Sequence, residues 1–299
     1  MSQQSTDLTS RKTKIAPYKN KVCNLDVMEF LNAFAVENFF DLAIIDPPYN
    51  IGKDFGNTKD NRALGDYIDW SLKYLAKCMQ LIKPAAPVYI YGYPEILSHL
   101  AVRYPTGRQR WLAWHYTNKT VPASKFWQRS YESILCIWKA KKPILDVDQI
   151  REGYTHSFLT NAAGKVRNSK QCRYSKGHSK TIYQAHEKGA LPRDVIKIPA
   201  LAGGSGAAER VFYCKNCNEL LIGKEKNDHN NCLLITHPTQ KPMKLTEKLL
   251  KASRPADILI PFAGTGSECF MARKLNINFY ATDINSDYVK LANKWIKTL

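Results

Sequence analysis

The chain has 299 residues, 44% of them hydrophobic, enough for one core of ordinary domain size plus a smaller appended region. With 44 Lys and Arg against 26 Asp and Glu it carries a formal charge of +18, which suits a polyanionic partner. No run is apolar over the length of a membrane span, Met1 to Asn20 holds no apolar signal core, and the eight cysteines do not form a secreted disulfide pattern, so a cytoplasmic protein that contacts no membrane is expected.

Met1 to Asn20 reads as a loose basic arm. From Lys21 the pattern is a short strand, a helix over Val27 to Val36, and the apolar run Leu42-Ala43-Ile44-Ile45, a buried strand that opens into Asp46-Pro47-Pro48-Tyr49. Ile51 to Gly65 is polar and Gly-containing, a mobile loop over a pocket. Tyr67 to Leu81 has helical spacing with Pro84 beyond its end, and Val88 to Tyr91, Trp111 to Tyr116 and Ser133 to Trp138 are rich in β-branched and aromatic residues, as strands are. After Lys142 the periodicity fades, and residues 141–232 read as an insert. Regular texture returns with a helix over Met243 to Ala252, a strand over Asp257 to Ile260, a helix over Ser267 to Leu275, a strand over Asn278 to Asp283 and a closing helix over Asp287 to Ile296. The class is α/β, in four segments: the arm 1–20, a catalytic half 21–140, the insert 141–232 and a cofactor-binding half 233–299.

Two turns carry chemistry. Phe262-Ala263-Gly264-Thr265-Gly266 follows a strand and opens a helix, so its glycines let the backbone approach a ligand, while Asp283 ends the next strand at the spacing of a ribose-binding acid. A tight strand-to-helix turn with no ligand is the alternative reading of this stretch taken alone. In Asp46-Pro47-Pro48-Tyr49 the two prolines donate no hydrogen bonds, which leaves carbonyls as acceptors. The Asp46 carboxylate and the Pro47 carbonyl could take the two N–H bonds of an aromatic amine as its nitrogen attacks a methyl sulfonium, and Tyr49 offers a face for an extruded base. A rigid loop with a helix cap is the alternative reading of Asp-Pro-Pro taken alone. On neighbouring strands of an open α/β sheet the two turns would face one pocket.

The sequence resembles the beta class of DNA amino-methyltransferases, in which the catalytic tetrapeptide precedes the cofactor loop. The matching segments are Asp46 to Asn50, His237-Pro238-Thr239-Gln240-Lys241-Pro242, Pro261 to Gly266, and Ala281-Thr282-Asp283-Ile284. The resemblance implies a Rossmann-like S-adenosylmethionine-dependent sheet in permuted motif order, with the insert as target-recognition region. It implies S-adenosylmethionine cradled by Phe262, Ala263, Gly264, Thr265, Gly266 and Ser267, with Asp283 and Ile284 at its ribose side and Thr239 and Lys241 closing its methionine side. It implies double-stranded DNA as substrate, with a cognate restriction endonuclease and a homodimer as further candidate partners. Where the family usually has Asp before Pro261 this chain has Ile260, and Glu268 is the residue placed to substitute. Phe126 to Glu132 resembles the motif on the far side of the base pocket. The expected reaction is methylation of adenine N6 on a flipped base, Asp at position 46 favouring adenine by family habit; cytosine N4 and a catalytically inactive zinc-bearing DNA-binding subunit are the alternatives.

Inside the insert, Cys214-x-x-Cys217 and His229-x-x-Cys232 are two ligand pairs at the spacing of a structural Zn2+ site; a redox pair would want a βαβ context that the polar surroundings do not supply. Such a knuckle is expected to serve recognition and to leave the cofactor pocket untouched. Arg103, Arg108, Arg110, Lys119, Lys125 and Arg129, then Lys165, Arg167, Lys170, Arg173, Lys176 and Lys180 with Tyr174 and Tyr183 among them, suit phosphate contacts.

Overall fold

The computed structural model of the chain describes residues 15–56, 60–118, 124–168, 170–172, 175–177, 180–202 and 204–299; most of the expected basic arm, with Lys119, Arg173 and Tyr174, lies outside them. Residues up to 145 together with Asp194–Leu299 form one compact unit, and Asp146–Arg193 form another.

In chain order the strands of the larger unit are β1 (Val22–Asn24), β2 (Leu42–Ile45), β3 (Val88–Gly92), β4 (Gln109–His115), β5 (Tyr131–Ile137), β6 (Val195–Lys197), β7 (Val211–Cys214), β8 (Glu219–Ile222), β9 (Leu234–Ile235), β10 (Asp257–Ile260) and β11 (Asn278–Asp283). Its helices are α1 (Val27–Asn32), α2 (Leu64–Leu81), α3 (Pro94–Ala101), α4 (Met243–Ser253), α5 (Ser267–Lys274) and α6 (Ser286–Ile296). One eight-stranded sheet runs β1-β11-β10-β2-β3-β5-β4-β6. It is parallel from β1 to β3, β5 is antiparallel to both β3 and β4, and β6 adds parallel to the outer edge of β4.

The continuous apolar runs of β2 and β10 follow from burial on both faces. Leu42 and Ile44 enter one core with Ile258 and Ile260, against residues of α4, α5 and α6 such as Leu249, Met271 and Ala292. Ala43, Ile45 and Leu259 enter the other, against Phe30, Leu75, Leu97 and neighbours from α1, α2 and α3. The chain leaves β10 toward β11 on one side and leaves β2 toward β3 on the other, so the order reverses between these two neighbours. At such a reversal the connecting loops diverge and leave a crevice beyond the strands' carboxyl ends.

Three expectations about local structure change. Residues 15–20, expected within the loose arm, pack on the larger unit: Ile15 is buried, the Tyr18 ring meets Phe30, and Asn20 N donates to the Phe279 carbonyl at 2.8 Å. The helix from Val27 ends at Asn32 rather than Val36, yet Phe34 and Val36 stay buried in the turn that follows, so the apolar spacing reported burial and not helix. The segment 141–232 is divided between the units. Its residues from Asp194 on belong to the larger one, because β6 pairs with β4 and the β7–β8–β9 sheet packs Val211 and Tyr213 on Leu291 and Trp295 of α6.

In the smaller unit Thr155 caps a short helix, His156–Asn161, and Val166–Asn168 pairs antiparallel with Lys180–Ile182. Tyr154 stacks on Phe158 at 4.6 Å, and Arg151 bonds Asp148 and the Gly189 carbonyl. Ala162 is the only buried residue among those described in it.

Candidate active site

Asp46 to Tyr49 follow β2 directly and Pro261 to Gly266 follow β10 directly, so the reversal in the sheet places both turns on one cleft. It encloses about 1230 Å³, its open mouth included, space for a nucleoside-sized ligand. All the catalytic and cofactor residues read from the sequence line it except Gly266. The loop after Tyr49 folds over it. Asp60 accepts from the Asn50 and Ile51 amides, and Asn285 donates to the Phe55 carbonyl, so the expected mobile segment is tied down at both ends among its described residues.

Under the Asp46 turn lies a buried ionic cluster. Lys241 Nζ sits 2.8 Å from Asp46 Oδ1 and 3.5 Å from Glu132 Oε2, and the Tyr49 hydroxyl lies 2.9 Å from each of the same two oxygens, so its single proton serves two carboxylates. Tyr116 donates to Glu132 Oε1 at 2.8 Å, and the rings of Tyr91 and Tyr49 lie 5.0 and 5.3 Å from the ammonium. One cation between two carboxylates leaves a net charge of −1. Burial disfavours every charge here, but the two carboxylates hold Lys241 above its ordinary range. Burial also pushes Glu132 upward, yet Lys241 and the Tyr116 and Tyr49 hydroxyls outweigh it and that carboxyl falls below its usual value. For Asp46 burial prevails over Lys241, and its carboxyl lies above the ordinary range.

Two acceptors on this turn remain open. Asp46 Oδ1 is occupied while Oδ2 has no hydrogen-bond partner among the described residues; the Pro48 carbonyl accepts from Tyr67 at 2.6 Å, whereas the Pro47 carbonyl accepts from none of them. Tyr49 is placed less simply than a stacking platform: its ring is 8% exposed, edge-on to Tyr93, and its hydroxyl anchors the carboxylates.

On the other turn, Gly264 has φ 50°, donates its N–H to Asp283 Oδ2 at 2.8 Å, and would bring a Cβ within 3.3 Å of His237 Nε2. Gly266 has φ 83°, and a Cβ there would stand 2.7 Å from Ala292 Cβ, so this glycine lets α6 approach the loop. Asp283 also accepts from Asn285 N, and its carboxylate thus braces the loop beside the position expected for a ribose. Lys241, expected to close the methionine side, lines the cleft but spends its ammonium on Asp46 and Glu132. Glu268 is buried at the start of α5. Ser267 donates to its Oε2 at 2.8 Å, Oε1 has no partner among the described residues, and burial together with the Asp46 charge raises the carboxyl to about 7. His237 is held neutral, its pKa lowered to about 3 by burial and by Lys241, Lys53 and Arg210.

The model of the N6/N4 DNA methylase family matches residues 40–294. The chain belongs to this family of DNA amino-methyltransferases. It is 27% identical to the Type II methyltransferase M.HpaI of Haemophilus parainfluenzae over 86% of this chain and 68% of that one, and 25% identical to M1.MboII of Moraxella bovis over 92% and 95%. It is 27% identical to the DNA adenine methyltransferase YhdJ of Escherichia coli over 84% and 74%. Among solved structures, the cytosine-N4-specific PvuII DNA methyltransferase superposes with a TM-score of 0.59 at 13% identity, covering 92% of this chain and 87% of that one. The M1.HpyAVI–SAM complex superposes at 0.52 and 17% identity, over 92% and 98%. At such identities these likenesses establish the fold: the Rossmann-like sheet of the S-adenosylmethionine-dependent methyltransferases.

The four ligand atoms of Cys214, Cys217, His229 and Cys232 lie within 4.8 Å of one another. Cys214 ends β7, Asn218 at φ 58° closes the turn to β8, and His229 Nδ1 is buried with no hydrogen-bond partner among the described residues, the kind of orphan a metal bond satisfies. The donor set fits zinc. Glu132 and the pairing of Lys241 are the site features that this amino-methyltransferase's sequence did not disclose. Glu132 sat inside a motif recognised for its aromatics, where its charge beside Tyr131 was the available signal.

Proposed function

We propose that the protein transfers the methyl group of S-adenosylmethionine to the N6 amino group of adenine in double-stranded DNA. The observation that carries this reading is the pair of open acceptors on the Asp46 turn facing the same cleft as the Gly264 loop. An exocyclic amine has two N–H bonds and a lone pair delocalised into its ring. Asp46 Oδ2 and the Pro47 carbonyl are suited to take the two bonds, drawing the nitrogen toward pyramidal geometry as positive charge develops, and the net negative cluster beneath favours that charge. S-adenosylmethionine supplies the electrophilic methyl group. On its side, the Gly264 loop offers backbone, Asp283 a carboxylate near the ribose, and Glu268 Oε1 an unpaired acceptor for the α-ammonium that Ile260 cannot bind. His237, held neutral, adds no charge beside a cationic cofactor.

Adenine is favoured by the 27% identity to a protein named as a DNA adenine methyltransferase. Cytosine N4 is the second reading, because its amine presents the same two N–H bonds to the same acceptors. Mass spectrometry of nucleosides digested from DNA after incubation with enzyme and cofactor separates them: N6-methyladenine is expected, N4-methylcytosine would replace adenine as the target, and neither product would leave a DNA-binding protein without the activity.

Target recognition is assigned to Asp146–Arg193. Support comes from the run Lys165 to Lys180, which holds no acidic residue, and from a unit with almost nothing buried, which suits chain that gains its order on a polyanion. Cys214, Cys217, His229 and Cys232 are assigned one structural Zn2+, with all four positions filled by protein. The naming of two relatives as Type II methyltransferases makes a cognate endonuclease the proposed cellular counterpart.

A further inference from the structure

The knuckle was expected to act on DNA recognition alone, but its strands run straight into the cofactor wall. β7 carries Cys214 at its far end, and at its near end Val211 N donates to Gln240 Oε1 at 3.1 Å, while Thr236 Oγ1 donates to the Val211 carbonyl at 3.0 Å. Just before β7, Arg210 Nη2 donates to the His237 carbonyl at 2.9 Å, and the Glu209 carbonyl accepts from Gln240 Nε2 at 2.8 Å. From the other side, Cys232 leads into β9, which pairs Leu234 and Ile235 with Cys214 and Tyr213. His237 follows two residues after β9 and, with Gln240 and Lys241, lines the cleft.

We propose that the metal knuckle is a strut of the cofactor pocket, so that zinc occupancy sets S-adenosylmethionine affinity. The inference rests on the zinc reading above. Physically, a bond from the metal to Cys214 and another to Cys232 would clamp β7 to β9, and these are the two strands whose continuations hold His237 to Lys241. The local apolar cluster is small, Phe212, Cys214 and Leu221 with Cys232 and Leu234 against it. At the Cys232 end β9 is held by the Lys215 N–H on the Leu233 carbonyl and the Leu233 N–H on Asn216 Oδ1, both within the loops the four ligands would join, so metal bonds there would fix the register that positions the Thr236 to Lys241 segment. Lys241 passes any displacement on to Asp46 through their contact.

The experiment measures zinc by elemental analysis and S-adenosylmethionine binding by calorimetry on the full-length protein as purified, after reversible removal of zinc by a chelator, and in Cys217→Ser. Loss of metal with cofactor binding weakened roughly tenfold, regained on adding zinc, is expected for coupled sites. Coupling is reciprocal, so saturating S-adenosylmethionine should raise zinc affinity against a competing chelator by the same factor. Metal lost with cofactor affinity unchanged overturns the strut while leaving the zinc site standing; protein that neither carries nor takes up zinc overturns both. If the stripped protein and Cys217→Ser unfold, Thr236→Val decides, since it keeps all four ligands: full metal with weaker cofactor binding supports the strut, and full metal with unchanged binding overturns it.

Discussion

The two turns that frame the cleft leave adjacent parallel strands at the same end of the sheet, yet their charges are handled in opposite ways. Below the Asp46 turn Lys241, Glu132, Tyr49 and Tyr116 close an ionic cluster that fixes Asp46 through Oδ1 and leaves its Oδ2 open toward the cleft. The Gly264 turn has Glu268 buried nearby, its Oε2 met by the Ser267 hydroxyl and its Oε1 without a partner among the described residues. A catalytic group must be held in one geometry before substrate arrives, whereas a binding group can wait for the ligand to complete it. On the proposed reading, Asp46 is preorganised for the chemistry and Glu268 waits for the cofactor to complete it.

The sharpest way to break this contrast is Asp46→Ala. It should reduce turnover by about two to four orders of magnitude, the scale of a lost acid–base or charge-stabilising group, while S-adenosylmethionine and DNA binding stay close to wild type in calorimetry and gel shift. Near-normal turnover would remove Asp46 from the chemistry.

Lys241→Met tests the closed cluster. Removing the cation leaves two carboxylates buried side by side, and such truncations cost about 3–5 kcal/mol, visible as a large drop in thermal midpoint. The loss should shrink as the medium is acidified and the carboxylates take up protons. A midpoint that is equally low at pH 5 and pH 8 would show that Lys241 matters through packing alone.

Glu268→Gln tests the open site. A carboxyl raised to about 7 in the folded protein, against an ordinary 4.5, binds its proton more tightly folded than unfolded. Its stabilising contribution is therefore complete below about pH 4.5 and is lost as pH rises through 7. The cofactor-free variant should lack that part of the decline in stability. Its cofactor affinity should also lose the rise with pH that ionisation of Glu268 gives the wild type as the carboxylate meets an ammonium. A cofactor-binding profile identical to wild type from pH 6 to 8 would exclude the contact.

The smallest effect is expected from Tyr49→Phe. It keeps the ring and removes the hydroxyl shared by Asp46 and Glu132, a loss of about 1 kcal/mol, so turnover should fall severalfold while extrusion of a 2-aminopurine target is unaffected. If extrusion falls and turnover does not, the hydroxyl belongs to base binding rather than to positioning Asp46.

Much of this molecule was legible as text. The unbroken apolar runs of β2 and β10 reveal strands buried on both faces, because in a sheet covered by helices every side chain of a central strand meets a core. The order of Asp46-Pro47-Pro48-Tyr49 and Phe262 to Gly266, the paired spacing of Cys214, Cys217, His229 and Cys232, and the basic charge are also properties of the sequence alone, since each depends on residue type and local separation. What tertiary structure decided are pairings across long separations: Lys241 under Asp46, Glu132 as its second carboxylate, and the knuckle docked on α6 and tied to Gln240. Local periodicity tells which side of an element is buried and says nothing about what lies opposite. For a charged residue such as Lys241, the group opposite determines its role.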